Sequence, residues 1–131
     1  MYKVSDSNTM TWTVAPEHLA SAFGSGLVDV LATPVLVGFC EEASRHMIDS
    51  HLEAGQKTVG TRISLEHTAA TPLGMQVTIR ANLVSIEGRK LTFEVDCEDE
   101  LESIGRCTHT RYIIDSQRFE AGIETKRMRK S

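Results

Sequence analysis

The chain has 131 residues, of which 40% are hydrophobic and 24% are charged, and its net charge is −4. This length suits one globular domain with a core of its own. The small negative charge argues against nucleic acid or an anionic membrane surface as a partner, and no apolar run approaches the roughly 20 residues that cross a bilayer.

The first half of the chain predicts a strand followed by a long helix. Residues 9–14 alternate and are rich in β-formers, which favours a strand, and a short helical turn follows Pro16. The main helix is predicted from about Thr33 to Leu52, with Thr33 as its N-cap and Pro34 in the first helical position. Its core-facing stripe recurs at steps of three and four residues: Leu36, Phe39, Cys40, Ala43 and Met47.

The second half of the chain predicts four strands, at about residues 57–68, 75–86, 89–97 and 104–114. Apolar and polar residues alternate along them, as in strands that bury one face. Glu87-Gly88 is a hairpin signal between two of these strands. Residues 118–131 predict a helical turn and a basic, solvated tail.

This order of elements predicts a single α+β domain over residues 1–131. A long helix and strands of about ten residues have similar lengths. A five-stranded antiparallel sheet can therefore curl around one long central helix, which is the hot-dog fold. Such a sheet leaves open edges, which favours a homodimer formed by strand pairing, with further pairing to a tetramer left open.

Two adjacent glutamates on the main helix fall on different faces. At about 100° per residue, Glu42 lies with Arg45 and Asp49 on the solvated side. Glu41 lies beside Val37 on a second, moderately apolar face, where a carboxylate is partly desolvated. Glu41 is then either a reactive carboxylate or a surface carboxylate beside a dimer partner.

His67 ends a predicted strand whose side chains alternate. Val59, Ile63 and Leu65 are predicted on one face, and Thr58 is predicted on the other. His67 points the same way as Ile63 and Leu65, into the apolar interior, where an imidazole needs a polar partner. It is either a satisfied core histidine or part of a catalytic group.

Other pairs of polar residues give weaker indications of a metal or ligand site. Glu42 and His46 lie one helical turn apart, but no second cluster completes a metal site, so we expect neither a metal nor another cofactor. His109 and Arg111 share a parity on the last strand, where they face either a ligand or the outer surface of the sheet.

The cysteine pattern and the N-terminal segment indicate the cellular compartment of the protein. Cys40, Cys97 and Cys107 have no CxxC spacing, so we expect three reduced thiols, with Cys40 as inert core. The N-terminal segment lacks the apolar stretch of a signal peptide. Together these features predict a cytoplasmic protein.

The chain carries a set of short motifs at characteristic spacings. They are Leu31-Ala32-Thr33-Pro34, Glu41-Glu42-Ala43, Thr58-Val59-Gly60-Thr61, His67-Thr68-Ala69-Ala70-Thr71-Pro72-Leu73-Gly74, Glu87-Gly88-Arg89, and Ile104-Gly105 leading into Thr108-His109 and Arg111. Over about residues 10–120 this pattern resembles the fluoroacetyl-CoA thioesterase-like family of hot-dog proteins. The most specific part is the His-Thr-Ala-Ala-Thr-Pro segment combined with the eight-residue step from Thr33 to Glu41.

The resemblance implies a catalytic group made of a threonine, a glutamate and a histidine. By position these are Thr33, Glu41 and His67. It also implies that Gly60 lines an acyl pocket and that Arg111 lies near that site. We expect Glu41 and His67 to share a cleft near the N-terminal end of the main helix, within one subunit or across two.

One segment departs from the family pattern. The fluoroacetyl-specific enzyme has a phenylalanine-bearing lid before the main helix, whereas residues 20–27 here are small apart from Phe23 and Leu27. Phe23 is the only aromatic residue in that segment, and we expect it to contact the substrate. A broader or different acyl group is expected in place of fluoroacetyl.

These residues suit the hydrolysis of a thioester. The backbone N–H groups of Thr33 and Val35, at the positive end of the main helix, are expected to hold the oxyanion, whereas Pro34 has no N–H. The sequence therefore predicts an acyl-CoA thioesterase for a small or short-chain acyl group. The alternatives are a non-catalytic acyl-CoA binding module and a hot-dog hydratase, whose acid–base motif the sequence lacks.

Overall fold

The computed structural model describes residues 1–130, and its elements follow the predicted order. Strand β1 (Ser7–Thr13) is followed by a 3₁₀ turn (Pro16–His18), the short helix α1 (Ala20–Phe23) and the long helix α2 (Thr33–Asp49). The remaining elements are β2 (Gln56–His67), β3 (Gln76–Glu87), β4 (Lys90–Asp99), β5 (Ser103–Asp115) and α3 (Ser116–Lys130).

The five strands form one antiparallel sheet in the order β1-β3-β4-β5-β2. The sheet is not closed, so β1 and β2 are its edges. Helix α2 packs against the inner face of the sheet, and the core lies between them. The fully buried positions of β3 and β4 alternate along each strand, as a half-buried sheet requires. The predicted α+β hot-dog fold is confirmed.

Helix α2 buries the predicted stripe but differs from the prediction at both ends. Ala32 takes the N-cap position instead of Thr33, and no side chain caps the helix. The hydroxyl group of Thr33 bonds to His67 instead. The helix ends at Asp49 rather than near Leu52, because the Leu52 amide donates to the Asp49 carbonyl, a tighter bond spanning three residues.

A β-bulge in β2 reverses the predicted faces of its first half. The register with β5 shifts at Thr61, which has no paired residue. The extra residue puts Thr58 and Gly60 on the inner face and turns Val59 away from it. The predicted orientations of Thr58 and Val59 were therefore wrong, whereas His67 lies on the predicted face.

The C-terminal segment is a full helix rather than the predicted turn and tail. The 15 residues of α3 include no buried side chain. Three of its basic residues, Arg127, Arg129 and Lys130, lie in the last turn, where they complement the helix dipole. Ser131, the last residue of the predicted tail, lies outside the described residues. Neither α3 nor any other helix within residues 1–130 is long and apolar enough to cross a membrane.

The three cysteines are free and buried, as predicted. The sulfur atoms of Cys40 and Cys97 lie 3.5 Å apart. Hydrogen bonding with Cys107 and Cys97, together with burial, raises the pKa of the Cys40 thiol. Since the thiolate is the reactive form, Cys40 is an inert core residue.

Candidate active site

Thr33 and His67 are in direct contact. The Oγ1 atom of Thr33, at the start of α2, lies 2.8 Å from Nδ1 of His67, the last residue of β2. The two side chains open onto a cavity of about 330 Å³. Its other lining residues are mostly small: Ala20, Ser25, Val30, Leu31, Thr68, Ala69 and Ala70.

The backbone around this contact is fixed by hydrogen bonds. The Leu31 amide donates to the Thr71 carbonyl at 2.9 Å. Thr71 is fully buried, and its hydroxyl donates to the Asp99 carboxylate at 2.9 Å. The segment that leads into Thr33 is therefore tied to the loop that follows His67, so the two side chains are held by one backbone framework.

His67 is poised to accept a proton. Its Nε2 atom is buried and has no hydrogen-bond partner within residues 1–130. Burial lowers the pKa of His67, against the opposing effect of the nearby Ala69 backbone. The imidazole is therefore neutral near pH 7. A buried nitrogen gains stability from a hydrogen bond, so Nε2 is the ring atom available for a further interaction.

Two residues predicted to contact the substrate lie beside this cavity rather than in its lining. Val35 is half-buried against the core. The first α2 amide that donates to a backbone carbonyl is that of Leu36, so the Val35 and Thr33 amides belong to the unpaired first turn of the helix. Phe23 ends α1 with 58% of its surface exposed.

Glu41 lies elsewhere in the chain, over Gly60. A Cβ atom placed on Gly60 would lie 3.0 Å from Oε2 of Glu41, 3.0 Å from Cε1 of His109 and 3.2 Å from Nη1 of Arg111. Glu41 is half-buried and Glu42 is exposed, as predicted. A second hollow, of about 270 Å³, is lined by Gly38, Glu41, Glu42, Arg45 and Arg111.

Arg111 and His109 are buried on the inner face of β5, so the outer-surface alternative was wrong. Arg111 donates from Nε to the Thr58 hydroxyl at 2.8 Å and from Nη2 to the Thr58 carbonyl at 3.1 Å. Burial lowers the pKa of Arg111, and the Glu41 charge opposes that shift. Sequence reasoning missed Thr58 because the bulge, which no residue pattern marked, brings it inside.

Within one chain, Glu41 and His67 do not share a cleft. Gly60, beneath Glu41, is seven residues from His67, which is about 20 Å of strand. Thr33 is eight residues from Glu41, which is about 12 Å of helix. The sequence left open a cleft within one subunit or across two, and the single chain does not form the first, since the two groups line separate hollows toward opposite ends of β2. A cleft shared between two subunits stays a prediction.

Known proteins are similar to this chain in sequence and in fold. A family model described as fluoroacetyl-CoA-specific thioesterase matches residues 14–117. The chain belongs to this family. A curated family member, the fluoroacetyl-CoA thioesterase of Streptantibioticus cattleyicolor, is 41% identical over 98 residues, which cover 75% of this chain and 70% of that protein.

The fold of this chain is also similar to those of solved thioesterase structures. A crystal structure of the fluoroacetyl-CoA thioesterase superposes with a TM-score of 0.90 at 33% identity, covering 96% of this chain and 98% of the other. A thioesterase superfamily member from Thermus thermophilus superposes with a TM-score of 0.91 at 26% identity, covering 97% and 94%. The protein is a thioester hydrolase with the hot-dog fold, as predicted.

Substitution of Gly60 tests whether the cluster around Glu41 matters to this thioesterase. Gly60→Ala adds a methyl group within contact of Glu41, His109 and Arg111, and we expect kcat/KM to fall by about 100-fold because the reacting groups are displaced. The measurement is thiol release from acyl-CoA. Gly122→Ala, which meets no neighbouring atom, is the matched control, and wild-type activity in Gly60→Ala would contradict the assignment.

Proposed function

We propose that this thioesterase hydrolyses a small or short-chain acyl-CoA to the free acid and CoA, at a site shared between the two subunits of a cytoplasmic homodimer. One observation carries the proposal. Thr33 contacts His67 at one end of the edge strand β2, and Glu41 lies over Gly60 toward the other end of that strand. The three free, buried cysteines support a reducing compartment.

Antiparallel pairing of β2 with its copy brings these two groups together. Gly60 and His67 are seven residues apart, so in a regular strand their side chains would point to opposite faces. The bulge at Thr61 removes that mismatch. If Gly60 pairs with His67 of the partner subunit, Ser64 lies opposite its own copy at the twofold axis. Glu41 then meets the partner subunit's His67, and each unpaired Nε2 atom gains a carboxylate neighbour.

The steps of thioester hydrolysis are divided between Glu41 of one subunit and the Thr33–His67 pair of the other. The Glu41 carboxylate either attacks the thioester carbonyl carbon, forming a mixed anhydride that water then opens, or removes a proton from an attacking water molecule. The free amides of Thr33 and Val35 stabilise the oxyanion at the positive end of α2. His67 takes the proton that the attacking water releases, directly or by way of Glu41, and passes it to the departing CoA thiolate, and the Thr33 hydroxyl holds the imidazole in place.

The acyl group occupies the hollow that Glu41 and Arg111 line, next to Gly60. Three polar side chains already crowd the position that a Cβ atom of Gly60 would take, so a glycine is needed there to keep them in place. This supports a short acyl group beside Glu41 and Arg111. Phe23, exposed at the end of α1, would cover the entrance only by turning toward the cavity, which supports a tolerance broader than fluoroacetyl.

A panel of acyl-CoAs separates catalysis from binding. We expect thiol release from short-chain members such as acetyl-CoA and propionyl-CoA, and slower release as the chain lengthens past the space around Gly60. Release is followed with a thiol-reactive chromophore. Tight binding without release from any member of the panel would favour the alternative, a non-catalytic acyl-CoA binding module.

Mixing two inactive variants tests the shared site. We expect Glu41→Ala and His67→Ala each to lower kcat by at least ~100-fold, as for loss of a general acid–base group. After joint refolding, half of the dimers are mixed and each mixed dimer holds one intact site, so about a quarter of the wild-type activity returns. The measurement is activity after co-refolding at equal concentrations.

Two controls sharpen this result. Thr33→Val mixed with His67→Ala restores nothing, because both substitutions damage the same half-site. Glu42→Ala keeps wild-type activity, since Glu42 is exposed and outside the proposed chemistry. Failure of the Glu41→Ala and His67→Ala mixture to regain activity, although dimers form, would contradict a shared site.

A cysteine at the proposed twofold axis tests the pairing register. Residues opposite each other in an antiparallel pair have Cα atoms about 4.5–5.5 Å apart, which suits a disulfide. Ser64→Cys should therefore give a covalent dimer on mild oxidation, seen on a non-reducing gel. Glu66→Cys is the control, since its copy would lie about 13 Å away. Cross-linking of Glu66→Cys but not of Ser64→Cys would contradict the register.

A further inference from the structure

A buried guanidinium in this site is held by neutral groups alone. Arg111, only 6% exposed, forms no ion pair with any carboxylate among residues 1–130, although Glu41 lies nearby. Thr58 accepts from Nε and from Nη2 of the guanidinium. On the other side, Nη1 lies 3.1 Å from Nε2 of His109. The hydrogen bonds of the guanidinium within residues 1–130 therefore all go to neutral acceptors, while Glu41 acts on it through its charge.

The hydrogen bonds of His109 define its tautomer. Its Nδ1 lies 2.8 Å from the Arg62 carbonyl. A carbonyl only accepts and a guanidinium only donates, so Nδ1 carries the proton and Nε2 carries the lone pair. Burial, aided by the Arg111 charge, lowers the pKa of His109, and the imidazole, 1% exposed, is neutral.

Two N–H groups of the Arg111 guanidinium are not used by Thr58 or His109. A guanidinium has five N–H groups, and Thr58 and His109 engage three of those of Arg111. One N–H on each terminal nitrogen remains. These two form the end of the fork, on a side chain that lines the same hollow as Glu41.

We propose that His109, as the neutral Nδ1–H tautomer, is a positioning residue that holds Arg111 away from Glu41. This rests on the proposed function and deepens it. With its guanidinium fixed by His109 and Thr58, Arg111 keeps the end of its fork for the acyl group beside Gly60, and Glu41 stays unpaired and reactive. Without the His109 acceptor, the guanidinium is free to turn onto Glu41 and occupy the carboxylate.

A double-mutant cycle tests this coupling. We expect His109→Leu to lower kcat by at least ~10-fold, as for displaced reacting groups, while His109→Gln, which keeps an acceptor, retains most of the activity. In an Arg111→Gln background, His109→Leu should add less than about a twofold effect, because the residue it acts through is gone. A merely structural histidine would give additive losses, which would overturn the proposal.

Two further measurements do not depend on the stability of His109→Leu. Thr58→Val removes the hydroxyl that accepts from Nε of Arg111 and leaves the Thr58 carbonyl in place. It should lower kcat where Thr58→Ser does not, and equal effects of the two substitutions would count against the arrangement. Long-range ¹H–¹⁵N correlation spectra of the wild-type protein should show the Nδ1–H tautomer of His109. The Nε2–H tautomer would overturn the proposal.

A failure of the positioning role of His109 can be told apart from a failure of the proposed hydrolase function. If the wild type binds acyl-CoA without releasing thiol, the hydrolase proposal fails. The same cycle is then measured on the Kd of a thioether analogue of acetyl-CoA. Coupling between His109 and Arg111 in that affinity supports the positioning role, and additivity overturns it.

Discussion

One unpaired residue in an edge strand decides which side chains meet in this protein. The bulge at Thr61 shifts the first half of β2 by one position, which puts Thr58 and Gly60 on the face that α2 covers. Without it, a valine would face Arg111 and a threonine side chain would fill the space beneath Glu41. The polar cluster around Arg111 and the small gap at Gly60 both follow from this local irregularity, as is common for bulges next to functional sites.

Burying an arginine has a cost that the rest of this cluster offsets. An unpaired buried charge is strongly destabilising, yet Arg111 is surrounded by a threonine hydroxyl, a backbone carbonyl and an imidazole rather than by a bonded carboxylate. Glu41 contributes through its field at a longer distance. The protein therefore keeps a cation and an anion near each other without a hydrogen bond between them, and buried groups with shifted pKa values of this kind cluster at functional sites.

Regular features of this fold were predictable from residue patterns, and irregular ones were not. The stripe from Leu36 to Met47 marked the core face of α2, and alternation marked all five strands, because burial imposes those periods. Glu41 and Glu42 were separated correctly by helical geometry alone. The orientations of Thr58 and Val59 failed because a single inserted residue changes the parity of a strand without changing its composition. Thr33 was assigned to a cap because the sequence does not show that its hydroxyl has a better partner in His67, 34 positions along the chain.

The exposed C-terminal helix α3 has a lower local stability than the rest of the fold. No side chain of α3 is buried. The Ser116 amide joins the first residue of the helix to the Gly55 carbonyl, and beyond that point local pairs such as Arg127 with Glu124 support it. Isolated helices of this length are marginal in water. Amide protons of α3 should therefore exchange with solvent through fraying, long before the sheet opens, so this helix and the catalytic body behave as separate cooperative units.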